Sequence, residues 1–268
     1  MMKFKKNTEL KNMLEFKDIT FGYGTPLLEN INVGFSAGKI TTVIGPNGCG
    51  KSTLLKLGAG LLKPQQGVVT LDGKNVADFG RKEYARCAAI LLQSDAVPEI
   101  TVGALVGHGR FPYLPYHRQH SAKDKAIVDN AMETAGVYHL RHKNLNRLSG
   151  GERQRAFIAM ALAQDTDLLM LDEPTTYLDI NHQLEIMNLV KKLNKQGKTI
   201  VMVLHDLNLA LYNSDEIILM QNGKIIEKNT PENIVNGGKI DSVFNVVTAS
   251  VVLDNRKFYV FRDKSGGE

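Results

Sequence analysis

Cysteine is nearly absent from this chain of 268 residues, with Cys49 and Cys87 the only two. No disulfide framework can therefore hold it, and a reducing cytosol suits it best. No apolar run approaches the ~20 residues needed to cross a bilayer, which predicts a chain that does not span a membrane by itself. Residues 1–11 are basic and polar with no apolar segment behind them, and no secretory signal is expected there. A strong charge imbalance is missing too. The net charge of +5 is a mild excess that suits anionic ligands or a lipid surface without arguing for nucleic acid. Internal repeats and low-complexity linkers are not seen. What is present is ordinary globular material, 43% hydrophobic and 23% charged, at a length that suits one large α/β domain or a core with a smaller insert.

Apolar residues at Leu14, Phe16, Ile19 and Phe21, and again at Ile31, Val33 and Phe35, alternate as in strands joined through the turn-rich residues 22–26. Further strands are expected at 39–44, 67–71 (with the turn Asp72-Gly73 after it), 88–93, 168–171, 199–204 and 216–220. Helical spacing marks 52–62, 101–110, 121–136, 150–163 and 180–195, while 111–120 is expected to be a loop. The pattern is an α/β core interrupted by a helical insert of about 70 residues.

The stretch Gly45-Pro46-Asn47-Gly48-Cys49-Gly50-Lys51-Ser52-Thr53 has the G-x-x-x-x-G-K-S pattern, after an apolar strand and before a helix. Its glycines permit positive φ and close backbone approach, and its N–H groups and helix end suit a phosphate chain. Lys51 would neutralise β- and γ-phosphates, and the Ser52 hydroxyl would ligate Mg²⁺. A second apolar strand, Leu168 to Leu171, ends in the adjacent carboxylates Asp172 and Glu173. Asp172 suits the Mg²⁺ site and Glu173 a general base acting on water. Together these predict binding and hydrolysis of a nucleoside triphosphate.

Leu148-Ser149-Gly150-Gly151-Glu152 is locally a serine N-cap with two glycines opening a helix, which is also an anion site. In this order with the motifs above, the chain resembles the nucleotide-binding subunit of an ABC transporter, from Leu14 to about Glu232. The resemblance implies an α/β P-loop NTPase core with an N-terminal antiparallel β subdomain and an inserted α-helical subdomain. It implies an ATP-binding domain over 12–236, the helical part at about 94–164, and a short C-terminal extension over 237–268. Two subunits are expected to sandwich ATP, with Ser149, Gly150 and Gly151 of one facing the P-loop of the other. The family's usual glutamine at the fifth signature position is Glu152 here.

The same resemblance implies roles for single residues. Tyr23 would stack on adenine, with a buried strand tyrosine as the alternative. Gln93 would sense Mg²⁺ and the attacking water, Asp179 would lie at the dimer interface, and His205 would contact the γ-phosphate. Stretches 175–183, 204–210 and 101–113, and the tail with Asp241-Ser242-Val243-Phe244 and two short strands, are similar to importers for iron–siderophores, haem and cobalamin. The implied protein is a homodimeric ATPase on the cytoplasmic face of the cell membrane. It would work with permease subunits docked near Gln93 and residues 97–116, with an ordinary packed loop as the alternative reading of that stretch, and with an extracytoplasmic substrate-binding protein. Ferric siderophore is the expected cargo, with haem and cobalamin as alternatives. The rival functions are a soluble ABC ATPase such as one for iron–sulfur assembly, a non-hydrolysing regulatory module, and an exporter.

Two further features point to ordinary structure. His108, His117, His120, His139 and His142 are irregularly spaced and fit solvated surface better than a metal site. Cys49 fits a small residue in a tight turn, although alkylation there would block ATP.

Overall fold

The computed structural model describes residues 12–93, 97–114, 119–253 and 256–264. Its centre is a six-stranded sheet, β10-β9-β3-β8-β7-β6, made of β3 (Ile40–Ile44), β6 (Ala88–Leu91), β7 (Leu168–Asp172), β8 (Thr199–Val203), β9 (Glu216–Gln221) and β10 (Lys224–Asn229). All neighbours run parallel except β10, which is antiparallel to β9 at the edge. β3, β7 and β8 are buried along their whole length, as expected of parallel strands covered on both faces.

Alternation sends successive side chains of these strands into two different cores. Leu168 and Met170 of β7, with Val43, Val201 and Met220, pack against α1 (Lys51–Gly58) and a four-stranded antiparallel sheet. That sheet has the order β2-β1-β4-β5, from β1 (Asn12–Gly22), β2 (Pro26–Ser36), β4 (Gln66–Leu71) and β5 (Lys74–Asn75). Asp72 and Gly73, with φ of 48° and 83°, form the two-residue hairpin turn between β4 and β5. The short helix α2 (Arg81–Tyr84) follows and leads into β6.

Leu169 and Leu171 of β7 face the opposite core. There they meet α6 (Ile180–Lys195), α7 (Leu207–Asn213), α8 (Pro231–Asn236) and α9 (Lys239–Phe244), together with the inserted helices α3 (Val102–His108), α4 (Ala122–Thr134) and α5 (Gly150–Ala163). Within the insert, the Arg110 guanidinium donates to Asp124 Oδ1 at 2.9 Å and to the Ala163 carbonyl at 3.0 Å, tying α3, α4 and α5. The Ser121 hydroxyl, then Arg110, hold the Asp124 carboxyl down at about 2. After α9, a hairpin of β11 (Val246–Leu253) and β12 (Arg256–Asp263) forms a separate two-stranded sheet.

Several elements depart from expectation. The first helix stops at Gly58 instead of reaching Leu62, because Gly60 turns left-handed with φ 67° and the N–H groups of Leu61 and Leu62 fold back on the Lys56 carbonyl. β6 ends at Leu91, leaving Gln93 beyond the strand. Phe111–Tyr113 form one 3₁₀ turn within the expected loop. Strand β10 and helix α7 carry no clear period in the sequence and were not anticipated.

Candidate functional site

The loop between β3 and α1 wraps the start of the helix. Gly45, at φ 157°, has no room for a side chain, since a Cβ would lie 2.3 Å from the Met220 carbonyl oxygen and 2.8 Å from Cys49 Sγ. β9 therefore buttresses the loop from behind. Helix α1 has no side-chain cap and no acidic residue in its first turn, so its leading N–H groups stay available to an anion. Lys51 is only 5% exposed, and its ammonium donates to the Gly45 and Pro46 carbonyls at 2.8 and 3.0 Å. A buried cation satisfied only by carbonyls is matched to a negative ligand arriving over the loop. Asn47 and Gly48 are exposed, Pro46 is half-buried, and Gly50 and Thr53 are buried.

Parallel strands deliver the remaining groups to the same end of the sheet. Ser52 Oγ donates to Asp172 Oδ1 at 3.0 Å, joining the loop to the end of β7. Burial pushes the Asp172 carboxyl up from its ordinary value, the Ser52 hydrogen bond opposing. A buried carboxylate beside a hydroxyl fits a hard divalent cation that takes its other ligands from phosphate and water. Among the described residues no three His, Cys, Asp or Glu side chains converge, so no all-protein metal cage competes with that arrangement.

Glu173 leaves β7 with φ 52°, a left-handed conformation uncommon for a side chain of its size, while its N–H bonds the Val203 carbonyl of β8 at 3.1 Å. Its two carboxylate oxygens have different partners. One meets His205 Nε2, and the other accepts from Thr176 Oγ1 at 3.1 Å. Gln93 is exposed and, with Asp172 and Glu173, lines a 410 Å³ crevice whose apolar wall includes Phe157 and Met160 of α5.

Helix α5 begins differently. Ser149 Oγ accepts from the Glu152 N–H at 3.2 Å, and the Glu152 carboxylate accepts from the Ser149 N–H at 2.9 Å, a reciprocal capping box. The Ser149 N–H, more than any other group, keeps the Glu152 carboxyl below its usual range. Ser149 and Gly150 are exposed. Gly151 is buried under the His182 ring, where a Cβ would come within 2.0 Å of the ring. His182 is in turn held by Asp179, which accepts its backbone N–H at 2.9 Å and its ring Nδ1 at 2.8 Å while capping α6. Those two contacts, backbone first, lower the Asp179 carboxyl.

Tyr23 is 62% exposed and rests edge-on against Phe21 with ring centroids 5.0 Å apart, which removes the buried-strand alternative. The Cys49 thiol is buried, and burial pushes it up despite Lys51 nearby, so it stays protonated. His108 tilts against Phe111. His117 and residues 94–96 and 115–118 lie outside the described residues, so the expected docking stretch 97–116 is described only to Leu114. Two contacts were not foreseen. The Thr176 hydroxyl on Glu173 leaves no sequence signal, whereas the Asp179–His182 spacing is a legible N-cap pattern.

The arrangement sets a glycine-rich phosphate loop beside two carboxylates and a histidine on neighbouring strand ends. The ABC transporter family profile matches residues 28–176. This chain belongs to the ABC transporter family. It is 45% identical to the petrobactin import ATP-binding protein FpuD of Bacillus anthracis over 240 residues, 88% of either chain. It is 41% identical to the ferric enterobactin transport ATP-binding protein FepC of Escherichia coli over 242 residues, 89% of each. The dimeric structure of the bacterial ABC transporter cassette MJ0796 superposes with a TM-score of 0.73 at 29% identity, covering 82% of this chain and 99% of that one. The ABC ATPase fold anticipated from the motifs is thus the fold found. No helix among the described residues is long and apolar enough to cross a membrane.

Proposed function

We propose that this chain is the ATP-hydrolysing subunit of an importer for an iron chelate, a ferric siderophore foremost, working as a homodimer on the cytoplasmic face of the membrane. The observation that carries the ATPase is the convergence of Lys51, Ser52, Asp172, Glu173 and His205 at one end of the β3–β8–β7 strands. The cargo follows from relatives named for petrobactin and ferric enterobactin transport. Haem or cobalamin import and a soluble iron–sulfur ATPase are the other readings.

ATP lies along residues 45–53, its phosphates on the loop N–H groups and its adenine on exposed Tyr23. Lys51 exchanges its two carbonyls for phosphate oxygens. Ser52, Asp172 and Gln93 would hold Mg²⁺, which would neutralise phosphate charge. Glu173 takes a proton from water as the water oxygen bonds to the γ-phosphorus and the bond to the β-γ bridging oxygen breaks. His205 moves from Glu173 to the γ-phosphate, freeing the carboxylate oxygen that receives the proton. Ser149, Gly150, Gly151 and Glu152 of the second copy close the site from above, with Asp179 at the seam.

The ATP-binding domain covers 12–236, with its helical part at about 94–164 and an extension over 237–268. Permease subunits dock by the crevice at Gln93 and the stretch 97–116, and an extracytoplasmic binding protein supplies the cargo. A tagged chain, captured from detergent-solubilised native membranes, is expected to bring down a multi-spanning permease and a siderophore-binding protein. Recovery of soluble partners alone would favour the soluble ATPase and contradict the importer.

A further inference from the structure

Among the described residues, fourteen large apolar side chains are exposed, and eight of them lie on one run of elements: the loop before α6, α6 itself, α7 and the C-terminal hairpin. Such clustering marks an interaction surface, since scattered exposure is the norm. The run starts at Tyr177, 89% exposed and left-handed at φ 62°, a costly backbone for an aromatic residue. It continues through Ile180 and Leu184, one helical turn apart on the same face of α6. Lys191, seven residues further along that face, lays its ammonium over the Tyr212 ring of α7 at 4.8 Å. Tyr212 stacks on Phe258 of β12, with ring centroids 6.0 Å apart and planes within 10°.

The hairpin then continues the apolar surface. Tyr259 and Phe261 point inward and anchor it on the core. Phe258 and Val260 alternate to the other side, where Phe258 faces Val251 and Val260 faces Ala249 across the strands. Val251, Phe258 and Val260 are each between 43% and 52% exposed. A two-stranded hairpin needs one buried face to persist, and Tyr259 and Phe261 supply it. Phe258 adds an anchor through its stack on Tyr212, whereas the outward Val251 and Val260 serve something other than anchoring.

We infer that this outer face of the β11–β12 hairpin is a second contact between two copies of this chain, continuing the seam that begins at Tyr177 and Asp179. The occupant is a second copy because the surface is continuous, along one face of α6, with the loop that meets the partner in the dimer proposed above, on which this inference rests. A two-fold contact brings the same patch from both copies together, and an apolar patch suits self-association because it sets no like charges opposite each other at its centre.

The test uses the full-length Glu173→Gln chain, which is expected to form a stable dimer with ATP, followed by sedimentation velocity. Adding Val251→Glu and Val260→Glu is expected to weaken that dimer at least tenfold while ATP affinity of the monomer stays unchanged. If Glu173→Gln alone stays monomeric with ATP, the dimeric reading itself fails. If it dimerises and the double glutamate variant dimerises equally well, only the hairpin contact fails. Hydrogen exchange on Glu173→Gln without the glutamates avoids any folding defect of the hairpin. Amides of Val246–Leu253 and Arg256–Asp263 should gain protection on adding ATP. No gain, or a gain only with permease present, would overturn the contact between copies.

Discussion

The two helix starts that carry the phosphate-binding motifs are built in opposite ways. At α1 the first turn has no side-chain cap, the loop is pinned from behind by β9, and Lys51 is buried. At α5 the first turn is capped by its own Ser149 and Glu152, and it stands exposed on the helical insert. The first end is an anion site completed by the core of one chain. The second has satisfied two of its own N–H groups and stands exposed, with Gly150 at the rim of the crevice that Gln93, Asp172 and Glu173 line. In the dimer proposed above, the contrast divides the site, with one half built for phosphate by a single chain and the other open to a second copy.

The largest expected effect breaks the chemistry while leaving both halves in place. Glu173→Gln should lower turnover by roughly 10²- to 10⁴-fold with nucleotide affinity retained, as single-turnover and equilibrium binding measurements would show. Near wild-type turnover would remove Glu173 as the base.

Next, the exposed half can be loosened without touching the other. Asp124→Ala leaves the buried Arg110 guanidinium without its carboxylate and should cost roughly 3 kcal/mol of stability in denaturant unfolding. Because Asp124 is held at about 2, below the ordinary value near about 4, the pair's contribution is full above that ordinary value and fades as pH falls toward about 2. The gap between variant and wild type should therefore narrow over that window. Equal stability at neutral pH would show that the insert does not depend on this pair.

Lys51→Ala removes the buried cation from the rigid half and should weaken ATP binding by about 10- to 100-fold, measured by titration calorimetry. Unchanged affinity would sink the role given to Lys51. The smallest effect tests the self-capped half. Glu152→Gln keeps the capping geometry but removes a negative charge at the helix start. It should tighten ATP-driven dimerisation by a few-fold, corresponding to roughly 0.3–1 kcal/mol, in sedimentation of the Glu173→Gln background. Weaker dimerisation would mean that the carboxylate itself makes the contact.

The nucleotide half was the more legible in sequence. Its β-branched strands, glycines and strand-end acids each obey a local rule, and local rules can be read without a fold. Thr176 on Glu173 and His182 over Gly151 could not be read so directly, because their partners are set by how the loop after β7 turns back on α5. The short edge strand β10 was missed because Lys224-Ile225-Ile226-Glu227-Lys228-Asn229 has no period-two pattern, and its pairing with β9 decides its state. The overlong first helix reflects leucines at 61 and 62 that fit a helical period but lie beyond the left-handed Gly60. The C-terminal strands were foreseen, although nothing in their sequence separates the anchored face from the exposed one until Tyr259 and Phe261 are seen on the core.

The division of the site between two copies is tested most directly by mixing two inactive variants. Lys51→Ala disables the nucleotide loop, and Ser149→Arg disables the exposed helix start. Each alone should be inactive in ATP turnover. Mixed in equal amounts they should recover up to roughly a quarter of wild-type activity, because half the dimers are mixed and each holds one intact site. No recovery, with mixed dimers demonstrated by tag exchange, would place the whole site in a single chain and contradict the account.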